Sequence, residues 1–405
     1  MNFETAVPAR VRNWLPSKVS KTVRTGGMSA LVAQAEQVFH LGQGDVGFVT
    51  PSHVREAAIK AIEAGETRYK LLPELKEAIA QKLQTDNSIH VDPKKGLLLS
   101  DGAHAVLFQI MATLVGPGDE VIMTTPGAYY EKNTIFQGGT PVTIVLKPED
   151  NFRLDPAAIE AAITPRTKII GLTIPNAPTG VILSQRDVEQ IAEIALRHDL
   201  LVISDEIYEK INFGNRPHVS IASLPGMAER TITVNGFSKG YAMTGWRVGY
   251  AAIPEWLFPA VDRVNALNTI WLNTPAQYAA LAALTGPQEP FQEMVAEYKR
   301  RMRLVVDGLN AIDGVRCFFP DGTYYSVADI RSFGFTSEQF AGHLFLTEQV
   351  LVQAGTIFGS GGEGLIRVSC SAPEAEILAS IERFRRSVER LRDSGLVQIE
   401  EHMVE

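Results

Sequence analysis

Leu200-Leu201-Val202-Ile203-Ser204-Asp205-Glu206-Ile207-Tyr208 is an apolar run that stops at a carboxylate, with a phenol three residues further on. The run reads as a buried strand of a mainly parallel sheet, and open sheets of that kind place ligand-binding groups where the strands end. Asp205 stands at such an end. Working outward, comparable β-branched runs recur at Gly96–Ser100, Glu120–Thr124, Lys168–Ile174, Thr231–Asn235 and Arg247–Ile253. Between them, apolar periodicity predicts helices over Ser52–Ala64, Ala103–Val115, Pro156–Ile163 and Ser184–Arg197, several entered through Ser, Asp or Pro. Strands alternating with helices from about Thr50 to Leu284 predict an α/β unit, a three-layer α/β/α arrangement around a mainly parallel sheet.

A chain of 405 residues exceeds what one core usually serves, so a second domain is expected. Thr285-Gly286-Pro287-Gln288-Glu289-Pro290 interrupts helical patterns on both sides and marks the boundary. Beyond it, a long helix over Phe291–Ile312, a strand pair within Val315–Ile330 and a charged amphipathic helix over Glu374–Ser394 predict a smaller α+β domain. The expected division is an N-terminal arm over 1–48 that joins the smaller domain, a large domain over 49–287, the small domain over 288–396, and a polar tail over 397–405.

A net charge of −8 with pI near 5.6 disfavours nucleic acid or an anionic membrane as partner. No run approaches the ~18 apolar residues of a spanning helix, and Met1–Trp14 lacks the apolar core of a signal peptide. Two cysteines, Cys317 and Cys370, are too few for a disulfide framework, and no Cys/His cluster has metal-ligand spacing. No metal is expected, and a reducing cytoplasm fits.

Three motifs compete for the chemistry. Gly42-Gln43-Gly44-Asp45-Val46-Gly47 has the glycine spacing of a dinucleotide fingerprint, yet Phe48-Val49-Thr50-Pro51 separates it from the helix such a motif must open. It reads instead as a plain glycine-rich loop or a substrate-lining one. Gly236-Phe237-Ser238-Lys239-Gly240 fits a hydrolase elbow, with His343 as a distant candidate base, but the supporting helix is missing after it. The same segment read through Lys239 offers a buried amine as nucleophile for a Schiff base with an aldehyde cofactor. Alone, a lysine is more often a solvated surface residue. Its company changes the odds: Arg247 is a fork of donors suited to phosphate, and Asp101-Gly102-Ala103-His104 opens a helix whose free amides suit the same anion. Asp205 can keep a pyridine nitrogen protonated and Tyr208 can aim its phenol at the same ring, although an N-cap and a core tyrosine are the bland readings.

With these residues in hand the chain resembles the class I/II aminotransferases, fold-type-I enzymes dependent on pyridoxal 5′-phosphate. The resemblance spans roughly Leu41 to Ile381 and rests on Asp205-Glu206-Ile207-Tyr208, on Val234-Asn235-Gly236-Phe237-Ser238-Lys239-Gly240-Tyr241-Ala242-Met243-Thr244-Gly245-Trp246-Arg247-Val248-Gly249-Tyr250, and on Leu365-Ile366-Arg367-Val368-Ser369. It implies that Lys239 is the Schiff-base lysine and proton shuttle, Asp205 the pyridinium partner, and Tyr208 a donor to the ring hydroxyl. It implies further that Gly102, Ala103, His104, Ser238 and Arg247 line the cofactor, that Arg367 clamps the substrate carboxylate beside Gly44, and that Tyr69 reaches the neighbouring subunit of a homodimer with shared sites. The implied reaction moves an amino group between an L-amino acid and a 2-oxo acid.

Four departures bear on the transfer. Lys70-Leu71-Leu72-Pro73 is shortened and lacks a glycine; Gly44-Asp45-Val46-Gly47 replaces the common Gly-Glu-Pro-Asp. Pro126-Gly127-Ala128-Tyr129-Tyr130 leaves open which tyrosine stacks on the cofactor ring, and Ala177 stands where the family has an asparagine, with Asn176 as the neighbour able to replace it. A different outcome on the same scaffold, by a lyase, a cyclase or an oxidase of a cationic amino acid, is the alternative reading.

Overall fold

The computed structural model describes residues 32–33, 35–127, 129–214 and 216–396, so most of the N-terminal arm and the polar tail lie outside the described residues. Seven strands form one sheet: β1 (Leu97–Ser100), β2 (Glu120–Thr125), β3 (Thr140–Val145), β4 (Thr167–Thr173), β5 (Leu201–Asp205), β6 (Thr231–Gly236) and β7 (Gly249–Ala252). Their spatial order is β1-β7-β6-β5-β4-β2-β3, parallel throughout except that β7 runs against both neighbours.

Alternation along each central strand explains the layers. Val202 of β5 joins the core under helices Pro156–Ala161 and Gln185–Arg197, while Ile203 joins the core on the other face, under helices Ala103–Leu114 and Phe258–Asn268. Ile170 and Ile169 of β4 divide the same way. Both faces are therefore dry, which is why the sequence shows continuous apolar runs, each fully buried Val or Ile contributing about 1.5–3 kcal/mol. A further pack of helices, Ser52–Glu63, Pro73–Asn87 and Thr274–Thr285, closes on the β1–β7 end through Leu97, Leu99 and Tyr250.

β3 is absent from the sequence expectation. Its six residues are half-buried or exposed and include Pro141, which only an edge strand tolerates, so no apolar run marks it. Helix Gln185–Arg197 starts one residue later than predicted because Ser184 is its cap, locked by a reciprocal capping box with Asp187.

A second sheet of four antiparallel strands, in the order Gln353–Ala354, Leu365–Ser369, Tyr325–Asp329 and Arg316–Cys317, is covered by helices Glu289–Asn310, Ser337–Glu348 and Glu374–Ser394. The long helix takes Pro290 into its first turn, where a missing N–H costs nothing, so the interruption after Thr285 shrinks to Gly286–Gln288. Phe39–His40 pairs in parallel with Val350–Leu351 as a separate two-stranded sheet, so the chain ahead of the large sheet is stitched to the segment that follows helix Ser337–Glu348. No helix among the described residues is long and apolar enough to cross a membrane.

Candidate active site

The carboxyl ends of β5 and β6 deliver the central pair. Asp205 is buried, and its Oδ1 accepts from the Ile207 amide at 3.1 Å. Burial pushes its carboxyl up to about 7, the Ile207 N–H and the Lys239 charge opposing. Neighbouring Glu206 points the other way, as successive strand-end residues do, into a buried cluster. Its carboxylate accepts from Ser204 (2.9 Å), Ser220 (2.5 Å) and Asn87 (3.2 Å) and pairs with His218 (2.9 Å). Glu209 in the same cluster is held by Lys82 and Asn87. Burial opposes both shifts, but the Lys82 and His218 charges keep Glu209 low, and Glu206 keeps His218 raised. Two carboxylates and two cations thus form a closed set beneath the strand ends.

Lys239 follows the turn out of β6. Its Nζ donates to the Tyr324 hydroxyl at 2.8 Å and to the Gly44 carbonyl at 3.1 Å, and lies 5.9 Å from the centre of the Tyr208 ring. Burial, reinforced by the charges of Arg367 and Arg247, holds the amine below the usual lysine range against the pull of Tyr325 and Asp45. Ser238 beside it has no histidine in attendance: His343 is buried in helix Ser337–Glu348 with its ring at the Ser387 carbonyl, 3.1 Å away. The hydrolase reading therefore lacks its base.

An anion cradle lies between β1 and β7. Gly102, at φ +92°, turns the chain so that Ala103 and His104 open a helix with free N–H groups. Arg247 hangs over this turn, donating to the Thr244 carbonyl (2.8 Å) and the Asp101 carbonyl (3.2 Å). A Cβ on Gly102 would stand 2.3 Å from Arg247 Nη2, and one on Gly249 would stand 2.2 Å from the Ala103 nitrogen, so both positions need glycine. The His104 ring lies 4.8 Å from that of Tyr129, edge to face, and burial, aided by the Arg247 charge, holds its pKa low.

The backbone sets Tyr129 and Tyr130 in different surroundings. Tyr129 sits at φ +71° immediately before helix Tyr130–Gln137, which sends the two side chains apart. Tyr129 is half-exposed, and its phenol feels Tyr325, Arg367, Asp205 and Arg247 after burial. Tyr130 is a core residue instead: its ring lies against Gly171, and its hydroxyl reaches the Leu172 carbonyl of β4 (2.8 Å) and the Ile203 carbonyl of β5 (3.1 Å). The expectation that Tyr130 lines a cofactor draws no support from this placement. Asn176 is likewise engaged in its own turn, accepting from the Thr179 amide (3.3 Å) and hydroxyl (2.8 Å) and donating to Thr124 (3.4 Å), so it does not replace the amide missing at buried Ala177.

The small sheet contributes Arg367. Its Nη2 donates to the Gly42 carbonyl at 2.7 Å, its guanidinium lies 4.3 Å from the Tyr325 ring and 5.0 Å from that of Phe358, and its Nε is buried without a partner. A half-buried cation with an unused buried donor is a site for a planar anion such as a carboxylate. The glycines around it serve close packing, since a Cβ on Gly47 would strike the Ser371 carbonyl and one on Gly42 the Val352 backbone. With no helix opening at this loop, the dinucleotide reading has no support. Tyr208 is buried edge-on to Tyr324 and Tyr325, with burial raising its phenol well above the usual range. Tyr69 is 76% exposed and stacks on Trp271 at 6.2 Å on the surface.

Sequence reasoning missed Tyr324 and Tyr325, because two aromatics at a strand start read as core. Taken together the donor set fits a group with an anionic end for the cradle, a cationic ring nitrogen for Asp205 and a carbonyl carbon for Lys239.

Residues 36–384 match the family described as aminotransferase class I and II. An aspartate aminotransferase of Pyrococcus abyssi is 38% identical over 362 residues, covering 88% of this chain and 93% of that protein. The aromatic-amino-acid aminotransferase 2 of Thermococcus litoralis is 36% identical over 357 residues, 87% of this chain and 92% of its own. Among solved structures, the aromatic aminotransferase from Pyrococcus horikoshii superposes with a TM-score of 0.85 at 37% identity, over 91% of this chain and all of that one.

Proposed function

The chain belongs to the class I and II aminotransferases, fold-type-I enzymes that use pyridoxal 5′-phosphate, and from that premise we propose the assignment of roles within its site. Bound there, the cofactor supplies an aldehyde that captures amino groups and a ring that accepts an electron pair. Lys239 is the amine that holds it covalently and then carries the α-proton of the substrate. A lowered amine pKa suits both tasks, since the neutral form is the nucleophile and the base. Asp205 faces the ring nitrogen as an anion once a cation is opposite it, and Tyr208 donates from its buried hydroxyl. Gly102, Ala103 and Arg247 take the phosphate, and Tyr129 covers the ring beside His104.

One observation carries the assignment: Lys239 and Arg367, from different sheets, are both fixed to the same three-residue segment, through the Gly44 and Gly42 carbonyls. A carboxylate on Arg367 thereby holds its amino group toward Lys239, which is the orientation that transamination requires. Relatives named for aspartate and for aromatic amino acids make these the first donors to try. Rival outcomes by lyase, cyclase or oxidase are not favoured by relatives that are all named aminotransferases.

We further infer a homodimer. Leu267 (88%), Ile270 (73%), Tyr69 (76%) and Trp271 (46%) leave large apolar side chains exposed, with Tyr69 stacked on Trp271, and contiguous apolar surface marks protein contacts. Buried thiols at Cys317 and Cys370 and the acidic surface suit the cytoplasm, and the spans 49–287 and 288–396 are taken as large and small domains. Borohydride reduction of the loaded protein followed by peptide mapping tests Lys239. Mixing with single amino acids, with and without a 2-oxo acid, tests the reaction: product only when an acceptor is present supports it, and peroxide or ammonia formation overturns it.

A further inference from the structure

The Lys239 amine is tethered to Tyr324, which in turn contacts Tyr325, and no part of the assignment above uses either tyrosine. Tyr324 Oη lies 2.8 Å from Lys239 Nζ, 3.0 Å from the Gly44 carbonyl and 3.2 Å from Tyr325 Oη, and Tyr325 Oη lies 3.0 Å from the same carbonyl. Gly44 O therefore has three donors within reach, counting Lys239 at 3.1 Å, but only two lone pairs. One donor at a time is displaced from the carbonyl, and each has another place to turn: Lys239 and Tyr325 also reach Tyr324 Oη, and the Tyr324 hydroxyl lies beside Tyr325 Oη. As the structure stands Tyr325 donates to Tyr324 and Tyr324 to Gly44 O; with both hydroxyl protons turned, the row N–H···O–H···O runs from Lys239 through Tyr324 to Tyr325 without moving a heavy atom.

We propose that Tyr324 relays the Lys239 proton to Tyr325, so that the lysine meets its partners as a neutral amine. In the step, the Lys239 N–H bond breaks as a new Tyr324 O–H forms. The original Tyr324 O–H breaks as Tyr325 O–H forms. An ammonium beside a phenolate becomes an amine beside a phenol, with no change of net charge. Because Tyr324 touches the reacting amine, it is a catalytic residue in this scheme, and Tyr325 is the store for the proton.

The surroundings fit the two roles. Against burial, the charges of Lys239 and Arg367 and the hydroxyls of Tyr324 and Tyr208 hold the Tyr325 phenol below its usual range. Burial and Tyr325 hold Tyr324 far above that range, so it stays neutral, as a relay must. Other groups facing the row are Arg247 and Asp45, which act on Lys239 with opposite sign, Tyr298, stacked on Tyr324 at 5.2 Å, and Tyr129 and Asp205 across the pocket. Asp45 accepts from the Val46 amide instead and the Tyr298 hydroxyl has no hydrogen-bond partner among the described residues, so neither replaces Tyr324.

This inference rests on Lys239 being the cofactor lysine, which borohydride mapping tests separately. The relay is read in full-length protein stripped of cofactor, where a brief pulse of acetic anhydride across pH gives the midpoint for Lys239 by mass spectrometry. Ultraviolet difference titration against Tyr325→Phe gives the midpoint for Tyr325. If one proton is shared, the two midpoints coincide in the wild type. In Tyr324→Phe they separate by more than about one pH unit, Tyr325 moving up as it loses its donor. In Tyr325→Phe the Lys239 midpoint moves down, and this variant serves alone if circular dichroism shows Tyr324→Phe to be misfolded. Unmoved midpoints in either folded variant overturn the relay. So does labelling that falls by one factor at every pH in Tyr324→Phe, which is the mark of a hydroxyl that merely holds the amine in place.

Discussion

Arg367→Lys isolates geometry from charge. In the wild type the guanidinium spends Nη2 on the Gly42 carbonyl at 2.7 Å and keeps a buried, unpartnered Nε, so a bound carboxylate gains a second, charge-assisted bond from a donor already stripped of water. Lysine retains the positive charge but has one point of contact, and that point must also serve Gly42 O. The lost bond is one to a charged group, worth about 1.5–3 kcal/mol. That corresponds to a roughly 10- to 150-fold fall in kcat/KM, taking ~1.4 kcal/mol as tenfold. Amino acid and 2-oxo acid present the same carboxylate, so single-turnover half-reactions in each direction fall by the same factor, while cofactor affinity, measured by fluorescence, stays put. A loss of less than threefold in both directions, or a loss confined to one substrate, refutes the clamp.

Asp205→Asn alters the pH dependence of the cofactor-free fold. Burial pushes this carboxyl from an unfolded value near 3.9 up to about 7, so folding takes up a proton, and the stability it brings is present below about 4 and lost as pH rises toward 7. The thermal midpoint of the wild type therefore declines across that window more steeply than that of the variant; parallel curves contradict the shift. Lys82→Met strands Glu209 in the closed set without its partner and costs about 3–5 kcal/mol in urea unfolding, and a cost under about 1 kcal/mol shows the carboxylate to be solvated after all. Leu267→Glu with Trp271→Glu places charge on the exposed apolar cluster, and sedimentation then reports a monomer; an unchanged species puts the subunit contact elsewhere.

Legibility in the sequence followed burial and local motif. β5 and β6 were visible because both faces of each are covered, which forces unbroken apolar runs, and the turns after them carry Asp205 and Lys239 at short range. Arg367 was visible only through family pattern, since one charge in a strand has no physical signature until Gly42 is brought beside it. β3 went unseen because an edge strand with one wet face mixes Thr, Pro and Val. Tyr129 and Tyr130 could not be told apart because their separation depends on a positive φ at Tyr129, which no pattern at that position announces. Tyr324 was invisible for a different reason: its contacts at the site are with residues 85 and 280 positions away.

The antiparallel placement of β7 between β1 and β6 sets the order in which a ribosome delivers the parts. β1 hydrogen-bonds only to β7, so residues 97–100 wait as an unpaired edge until 249–252 emerge, and the backbone of Gly249 is what presses the Gly102–Ala103 turn into shape. Arg247 arrives in the same stretch, and Arg367, which needs the early Gly42, comes later still. On the proposed assignment, a nascent chain lacks the phosphate cradle until about three fifths of it has been made. Cofactor capture during synthesis reports that the sheet has closed, and a chain truncated before residue 249 leaves the ribosome unable to retain the cofactor and with a bare edge strand exposed to its neighbours.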